Sequence, residues 1–209
     1  PFPGRMLKAA GLADLSGATR DSKPWLNGAP RCIFVSDMGD ALSKSVPFAY
    51  LEREILPAVA SEAGRRHRWL WLTKRPERMA EFYDWVRSIG WTWPINLWVG
   101  TSVTTKRSLP RVRHLVGIGP DSPVMKFLSV EPQAEEIDLS QYVEAVNWVI
   151  QGGESGDAPL AFDVAWARHL RDVCARAKTP YFLKQLGRRV TENGTPVELD
   201  TRRVLQRAL

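Results

Sequence analysis

The stretch WVIQGGESG, residues 148–156, shows the pattern from which the fold can be inferred. It begins with an apolar run, residues 148–150, which predicts a buried strand, and it reaches glycines, which predict a tight turn. Because glycine has no side chain, a ligand could approach the backbone closely at this turn. In a parallel sheet, the polar residues after the strand would lie at the carboxyl edge, where ligands bind.

Apolar runs of the same kind recur along the chain, and helical patterns separate them. Strands are predicted at residues 32–35, 69–72, 97–99, 124–128, 148–150 and 181–183. Helices are predicted at residues 47–63, 76–89, 105–115 and 164–177. This alternation predicts an α/β fold with a parallel sheet. We expect a partial parallel (β/α) barrel, TIM-barrel-like, with about six βα units. Periodicity alone does not distinguish it from an open doubly wound sheet.

The same pattern divides the chain into three segments. Residues 1–30 are irregular, and because the chain starts at Pro1 we expect them to be the remnant of a longer N-terminal region. Residues 31–187 form the (β/α) barrel domain. Residues 188–209 form a C-terminal hairpin or tail, in which Asn193-Gly194 is a hairpin signal.

The composition is typical of a globular protein with a basic surface. The 209 residues carry a net charge of +6, with a pI of about 9.6. This charge permits a nucleic-acid partner, but the basic residues are scattered, as on an ordinary solvated surface. No apolar run reaches the roughly 20 residues of a membrane span, so we expect no membrane partner. Cys32 and Cys174 form neither a disulfide framework nor a metal site, so we expect a cytoplasmic protein.

Polar or glycine residues follow every predicted strand, and a parallel sheet would collect them at one edge. The catalytic side chains are predicted to be Glu131, Glu154, Lys74 and Lys184. The ligand-binding residues are predicted to be Asp37, Asp40, Thr73, Arg75, Ser102, Ser129, Gly152, Gly153, Ser155 and Gln185. Carboxylates and cations that meet in a partly dry cleft shift one another's pKa values, which suits proton transfer or anion binding.

Several of these residues also have a purely structural interpretation. The run 73–76 could begin a helix with surface cations instead of clamping a phosphate or carboxylate. Asp37 and Asp40 could close a turn or cap a helix. Lys184 could point into the barrel mouth or snorkel outward. Glu131 directly ends a buried strand, which favours a functional role.

Six strings occur in order along the chain. They are IFVSDMGDAL (33–42), LWLTKRPERM (70–79), NLWVGTSV (96–103), FLSVEP (127–132), WVIQGGESG (148–156) and YFLKQLG (181–187). This series resembles a phage-type family of unknown function named after phage gene products thirty-seven and sixty-eight, from Lys23 to the C-terminus. That family in turn resembles radical S-adenosylmethionine proteins with a partial barrel.

The resemblance implies a [4Fe–4S] cluster and S-adenosylmethionine in the full-length protein. In radical enzymes, three cysteines bind the cluster, and cleavage of the cofactor yields a radical that abstracts a hydrogen atom. This chain lacks a cysteine triad, so we expect sequence upstream of Pro1 to supply it. The glycine motif at 152–154 follows the fifth strand, whereas the cofactor-amine motif of radical enzymes comes early. The role of that motif is therefore not carried over to Glu154.

Three functions are consistent with this sequence. The first is the barrel portion of a radical S-adenosylmethionine-like enzyme that acts on an unknown small-molecule or macromolecular substrate. The second is a cluster-independent enzyme, with Glu131 or Glu154 as general base and with Lys74 and Arg75 as an anion clamp. The third is a non-catalytic phage protein that binds nucleic acid.

Overall fold

The computed structural model describes residues 3–35 and 39–197. The chain divides into two compact units. The first comprises Pro1–Thr101 and Arg111–Phe127, and the second comprises Ser102–Pro110 and Leu128–Leu209. Among the described residues, no helix has both the length and the apolar character needed to cross a membrane.

The predicted α/β fold is present, with a six-stranded, all-parallel sheet. The strands are β1 (Arg31–Val35), β2 (His67–Thr73), β3 (Leu97–Ser102), β4 (Lys126–Val130), β5 (Trp148–Gly152), β6 (Phe162–Asp163), β7 (Tyr181–Gln185), β8 (Val190–Glu192) and β9 (Thr195–Pro196). The large sheet has the order β1-β2-β3-β4-β5-β7, and a small sheet has the order β6-β8-β9. The large sheet is consistent with the predicted partial barrel.

The described residues form five α-helices, of which the first precedes β1 and the other four lie between successive strands. They are α1 (Arg5–Ala10), α2 (Phe48–Ala60), α3 (Pro76–Ser88), α4 (Pro110–Val116) and α5 (Val164–Arg176). The single helix predicted over 105–115 is instead a 3-10 turn, Lys106–Ser108, followed by α4. Pro110 explains the break, because proline lacks the N–H of a continuing helix and suits only its first turn.

Aromatic side chains build the core of the first unit. Trp69 and Trp71 are two residues apart, so they lie on the same face of β2, and both are fully buried. Phe82 of α3 packs edge-on against Trp71, with the ring centroids 5.4 Å apart. Because each such ring removes about 150–250 Å² of surface from water, this contact holds α3 firmly against the strand.

The middle of β3 carries a glycine for a packing reason. The ring of Phe127, from β4, lies against Gly100, and a Cβ at Gly100 would meet ring atoms at 2.4–2.6 Å. Phe127 is itself fully buried. The ring therefore occupies the volume that a side chain at position 100 would need.

Several strands extend beyond the predicted apolar runs. β4 covers Lys126–Val130 rather than 124–128, so Ser129 lies within the strand. β5 and β7 continue to Gly152 and Gln185, two residues past the predicted ends. The hydrogen-bonded ladder needs no apolar side chains, so it continues after the hydrophobic pattern has ended.

The second unit contains the small sheet. β8 and β9 form the antiparallel hairpin expected at Asn193-Gly194, and both turn residues have positive φ. β6 pairs in parallel with β8 and was not predicted, since a two-residue strand is too short to show a period.

Asp163 fastens this small sheet to α5. The residue is buried and caps the first turn of α5. Its carboxylate accepts hydrogen bonds from the Thr191 hydroxyl and from the backbone N–H groups of Ala165, Asn193 and Gly194. Burial alone would raise the pKa of Asp163, but these hydrogen bonds outweigh burial and hold the pKa below its usual value.

Candidate functional site

An ion pair lies at the carboxyl ends of β4 and β7. Lys184 Nζ is 3.1 Å from each carboxylate oxygen of Glu131. The Glu131 side chain is 16% exposed, whereas the Lys184 side chain is 54% exposed. Two of the residues predicted to be catalytic therefore meet in the second unit, and the ammonium group is open to solvent.

Gly152, the last residue of β5, lies beside this pair. A Cβ at Gly152 would be 3.2 Å from Glu131 Oε1 and 3.3 Å from the carbonyl oxygen of Gln185. The absence of a side chain thus leaves room for the carboxylate next to the strand. We call Glu131, Gly152 and Lys184 the sheet-edge site.

Two buried serines lie near the same strand ends in the second unit. Ser102 is the last residue of β3, and Ser129 is the last residue but one of β4. The backbone N–H of Val103 donates to the carbonyl of Ser129 at 2.9 Å, which holds the two strand ends side by side. Ser129 and Glu131 are two residues apart, a spacing at which side chains share one face of a strand.

Gly153 has a packing role. A Cβ there would lie 2.3 Å from the Leu186 carbonyl oxygen and 2.8 Å from Phe162 Cβ. The N–H of Gly153 donates to the Gln185 carbonyl at 3.0 Å, and Gln185 Nε2 donates back to the Gly153 carbonyl at 2.9 Å. The protein's own backbone therefore fills the space beside Gly153 in which the sequence predicted that a ligand could bind.

Glu154 closes its own loop. Its Oε2 accepts a hydrogen bond from the Leu160 N–H at 2.9 Å, and its carbonyl accepts one from the Arg188 N–H at 3.0 Å. Ser155 is exposed in the same loop. The Glu154 carboxylate is therefore engaged in a loop contact.

Other predicted residues form a cluster in the first unit. The Asp40 carboxylate accepts hydrogen bonds from the Thr73 hydroxyl at 2.9 Å and from the N–H groups of Leu42 and Lys74 at 3.1 Å. Arg75 Nη1 lies 3.0 Å from Asp40 Oδ2. We call Asp40, Thr73 and Arg75 the loop cluster. Its contacts tie the loop after β1 to the start of α3.

Two predicted residues contribute differently. Lys74 gives its backbone N–H to Asp40, while its side chain is exposed. Asp37 lies outside the described residues. The structure thus brings six of the predicted residues together in two groups, the loop cluster in one unit and the sheet-edge site in the other.

A buried polar chain braces the sheet-edge site and was not predicted. The Tyr181 hydroxyl donates to Gln151 Oε1, and Gln151 Nε2 donates to Gln133 Oε1. The backbone N–H of Gln133 then donates to the Gly152 carbonyl at 2.9 Å. Burial raises the pKa of Tyr181, so its phenol remains a donor at neutral pH. This chain links β7 to the turn that follows Glu131.

One sign of this network was visible in the sequence. Gln151 is a polar residue at the end of an apolar run, directly before the glycines, and burial there requires hydrogen-bond partners. Its partners, Gln133 and Tyr181, are 18 and 30 residues away along the chain. No local pattern identifies partners at such separations.

In the described part of the chain, the structure groups no side chains that could hold a metal ion. Within residues 3–35 and 39–197, no three His, Cys, Asp or Glu side chains are grouped as metal ligands. Cys32 is exposed on β1, and Cys174 is buried in α5. Burial raises the pKa of Cys174 to about 11, so this thiol stays protonated at neutral pH. Two such cysteines do not fit a cluster that needs three cysteine ligands.

Comparison with known proteins assigns the chain to a family. No curated protein and no solved structure matches it. A family model matches residues 13–207, a range that contains the sheet-edge site and the loop cluster. The chain therefore belongs to the family described as "Protein of unknown function (DUF5131)".

Proposed function

We propose that this chain is the barrel portion of an enzyme, TIM-barrel-like in architecture, whose anionic ligand binds at the sheet-edge site. The observation that carries the proposal is the Lys184–Glu131 contact, in which a largely exposed ammonium is held by a mostly buried carboxylate. Parallel (β/α) folds bind their ligands at the carboxyl ends of the strands, where this pair lies. Phage or prophage origin, implied by the motif resemblance, is part of the same proposal.

The pair suits proton removal from a ligand that carries a carboxylate or phosphate group. Because the ammonium of Lys184 is largely exposed, it gains little free energy from this one partner, and the anionic group could replace Glu131. Lys184 would then hold the ligand through a charge-assisted hydrogen bond. Glu131, released from its cation, would accept the proton as general base.

Radical S-adenosylmethionine chemistry enters this proposal only through the resemblance of the six motifs. A [4Fe–4S] cluster supplies the electron that cleaves S-adenosylmethionine. Cys32 and Cys174 do not fit such a cluster, so its ligands would lie outside these 209 residues. The chemistry proposed for this chain therefore rests on Glu131 and Lys184 alone.

Calorimetric titration tests the ligand site. The wild-type chain and Lys184→Met are titrated with S-adenosylmethionine and with a panel of carboxylates and phosphates. We expect an anionic ligand that binds the wild type and binds Lys184→Met about tenfold more weakly or worse, because a charge-assisted hydrogen bond is lost.

Arg188→Met is the matched control for this titration. Arg188 also forms an exposed ion pair in the second unit, with Asp157 at 3.2 Å, so its removal makes a comparable change of surface charge. Binding should be unchanged in this variant. An equal loss in both variants, or no loss in Lys184→Met, would contradict the proposal.

Anaerobic purification of the full-length protein separates the radical enzyme from the cluster-independent one. Iron content and visible absorbance are measured together with activity. A bound cluster that activity requires would identify the radical enzyme. Full activity from colourless, iron-free protein would identify a cluster-independent enzyme.

A further inference from the structure

A cavity of about 430 Å³ lies in the first unit, before the amino ends of β3 and β4. Its lining comes from α3, from residues 91–93 before β3, and from residues 119–124 before β4. Cavities of this size hold small ligands. No residue of the sheet-edge site or of the loop cluster lines it.

Three aromatic rings line this cavity, and hydrogen bonds fix the polar end of each. The Tyr83 hydroxyl donates to Ser122 Oγ at 2.9 Å, and Trp91 Nε1 donates to Glu52 Oε1 at 2.9 Å. Trp93 Nε1 donates to a backbone carbonyl at 2.9 Å. Rings that are already ordered lose little freedom when a ligand binds, so the wall is preorganised.

The loop at residues 119–124 is shaped to keep this wall in place. Gly119 has φ +49°, and a Cβ there would lie 2.4 Å from Ser122 Oγ and 2.7 Å from the Tyr83 hydroxyl. Ser122 Oγ in turn donates to the Gly119 carbonyl at 3.1 Å. A side chain at position 119 would push apart the two groups that hold the tyrosine ring.

One cation lines the cavity, Arg87, which is exposed near the end of α3. Its guanidinium carbon is 5.8 Å from the centroid of the Tyr83 ring, within the range of a cation–π contact. Among the described residues, Arg87 forms no ion pair, so its charge is available to a ligand. Asp121, the carboxylate of the lining, lies exposed on the loop.

We propose that this cavity binds a flat aromatic ligand that carries an anionic group. The ligand ring packs against Trp91, the half-buried ring of the lining, which Trp93 and Tyr83 back from the core. Its anionic group pairs with Arg87, the cation of the lining. The site is independent of the proposed chemistry of Glu131 and Lys184, because it uses other residues and a different end of the strands.

The test uses three probes that separate ring from charge. Adenosine 5′-monophosphate has both, adenosine has the ring alone, and inorganic phosphate has the charge alone. Each is titrated into isotope-labelled protein while the indole N–H resonances are followed by NMR, with Trp91→Phe and Trp93→Phe to assign them. We expect the monophosphate to shift the Trp91 and Trp93 resonances and to bind about fivefold more tightly than either fragment.

Two arginine variants show whether the charge acts as proposed. Arg87→Met should lower the affinity for the monophosphate about fivefold and leave the affinity for adenosine unchanged. Arg65→Met is the matched control, because Arg65 is also exposed in the first unit but does not line the cavity. The proposal is overturned if the monophosphate moves neither indole resonance, or if it binds both arginine variants equally well.

Discussion

Two carboxylates that follow parallel strands are held very differently. Asp40 of the loop cluster accepts hydrogen bonds from a hydroxyl and two backbone N–H groups, and it also pairs with Arg75. Glu131 of the sheet-edge site is contacted by Lys184, whose ammonium is largely exposed. The first carboxylate has little capacity left for a ligand, whereas the second retains it. Position after a strand therefore does not show how firmly a carboxylate is held, whereas the number of its partners does.

The largest effect is expected at Gly153, which shares the opening stretch with Gly152 but belongs to the scaffold. Gly153→Ala should lower the free energy of unfolding by about 3 kcal/mol, because the new methyl group meets backbone atoms that cannot move away easily. Urea denaturation measures this loss. Gly156→Ala is the control, since a Cβ there would have nothing within 4 Å. Similar losses in both variants would contradict the packing role.

Asp40→Ala is expected to come next. The change leaves the Thr73 hydroxyl and two backbone N–H groups without their acceptor, which should cost about 2–3 kcal/mol of unfolding free energy. Asp157→Ala should leave stability unchanged, because Asp157 is fully exposed. A small loss of unfolding free energy in Asp40→Ala would remove the distinction between the two carboxylates. Asp40 would then again be a candidate ligand-binding residue.

Asp163 extends the comparison with a third carboxylate and adds a pH dependence. Its folded-state pKa is lowered by four hydrogen bonds despite burial, so the ionised form stabilises the protein above about pH 4, near the pKa of an unfolded Asp. This contribution is lost as the pH falls through the folded-state pKa. The free energy of unfolding of the wild type should therefore be about 1–2 kcal/mol higher than that of Asp163→Asn at neutral pH. This difference should become progressively smaller in acid. A difference that stays constant into strong acid would show that charge has no part in it.

The smallest effect on stability is expected at the sheet-edge site. Lys184→Met should change the free energy of unfolding by less than about 1 kcal/mol, because an exposed ammonium gains little from one ion pair. High salt should reduce even this difference. A loss as large as that of Asp40→Ala would mean that the Lys184–Glu131 pair is part of the scaffold.

The fold was more accessible from the sequence than the site, for a physical reason. Parallel strands covered on both faces need continuous apolar runs such as residues 69–72, so the alternation of strands and helices can be read locally. The contacts that distinguish one residue at a strand end from another join positions that are far apart along the chain. Lys184 and Glu131 are 53 residues apart, and Thr73 and Asp40 are 33 apart. The sequence could place these side chains at strand ends but could not show which of them pair.

The packing of Phe127 against Gly100 has a consequence for the history of the family. An alanine at position 100 would collide with the ring, and a small residue at position 127 would leave a cavity in the core. Substitutions at either position alone should be eliminated by selection. We expect the two positions to co-vary among family members, so that a larger residue at position 100 accompanies a smaller one at position 127. Members that share the same pair of residues should then be more closely related to one another.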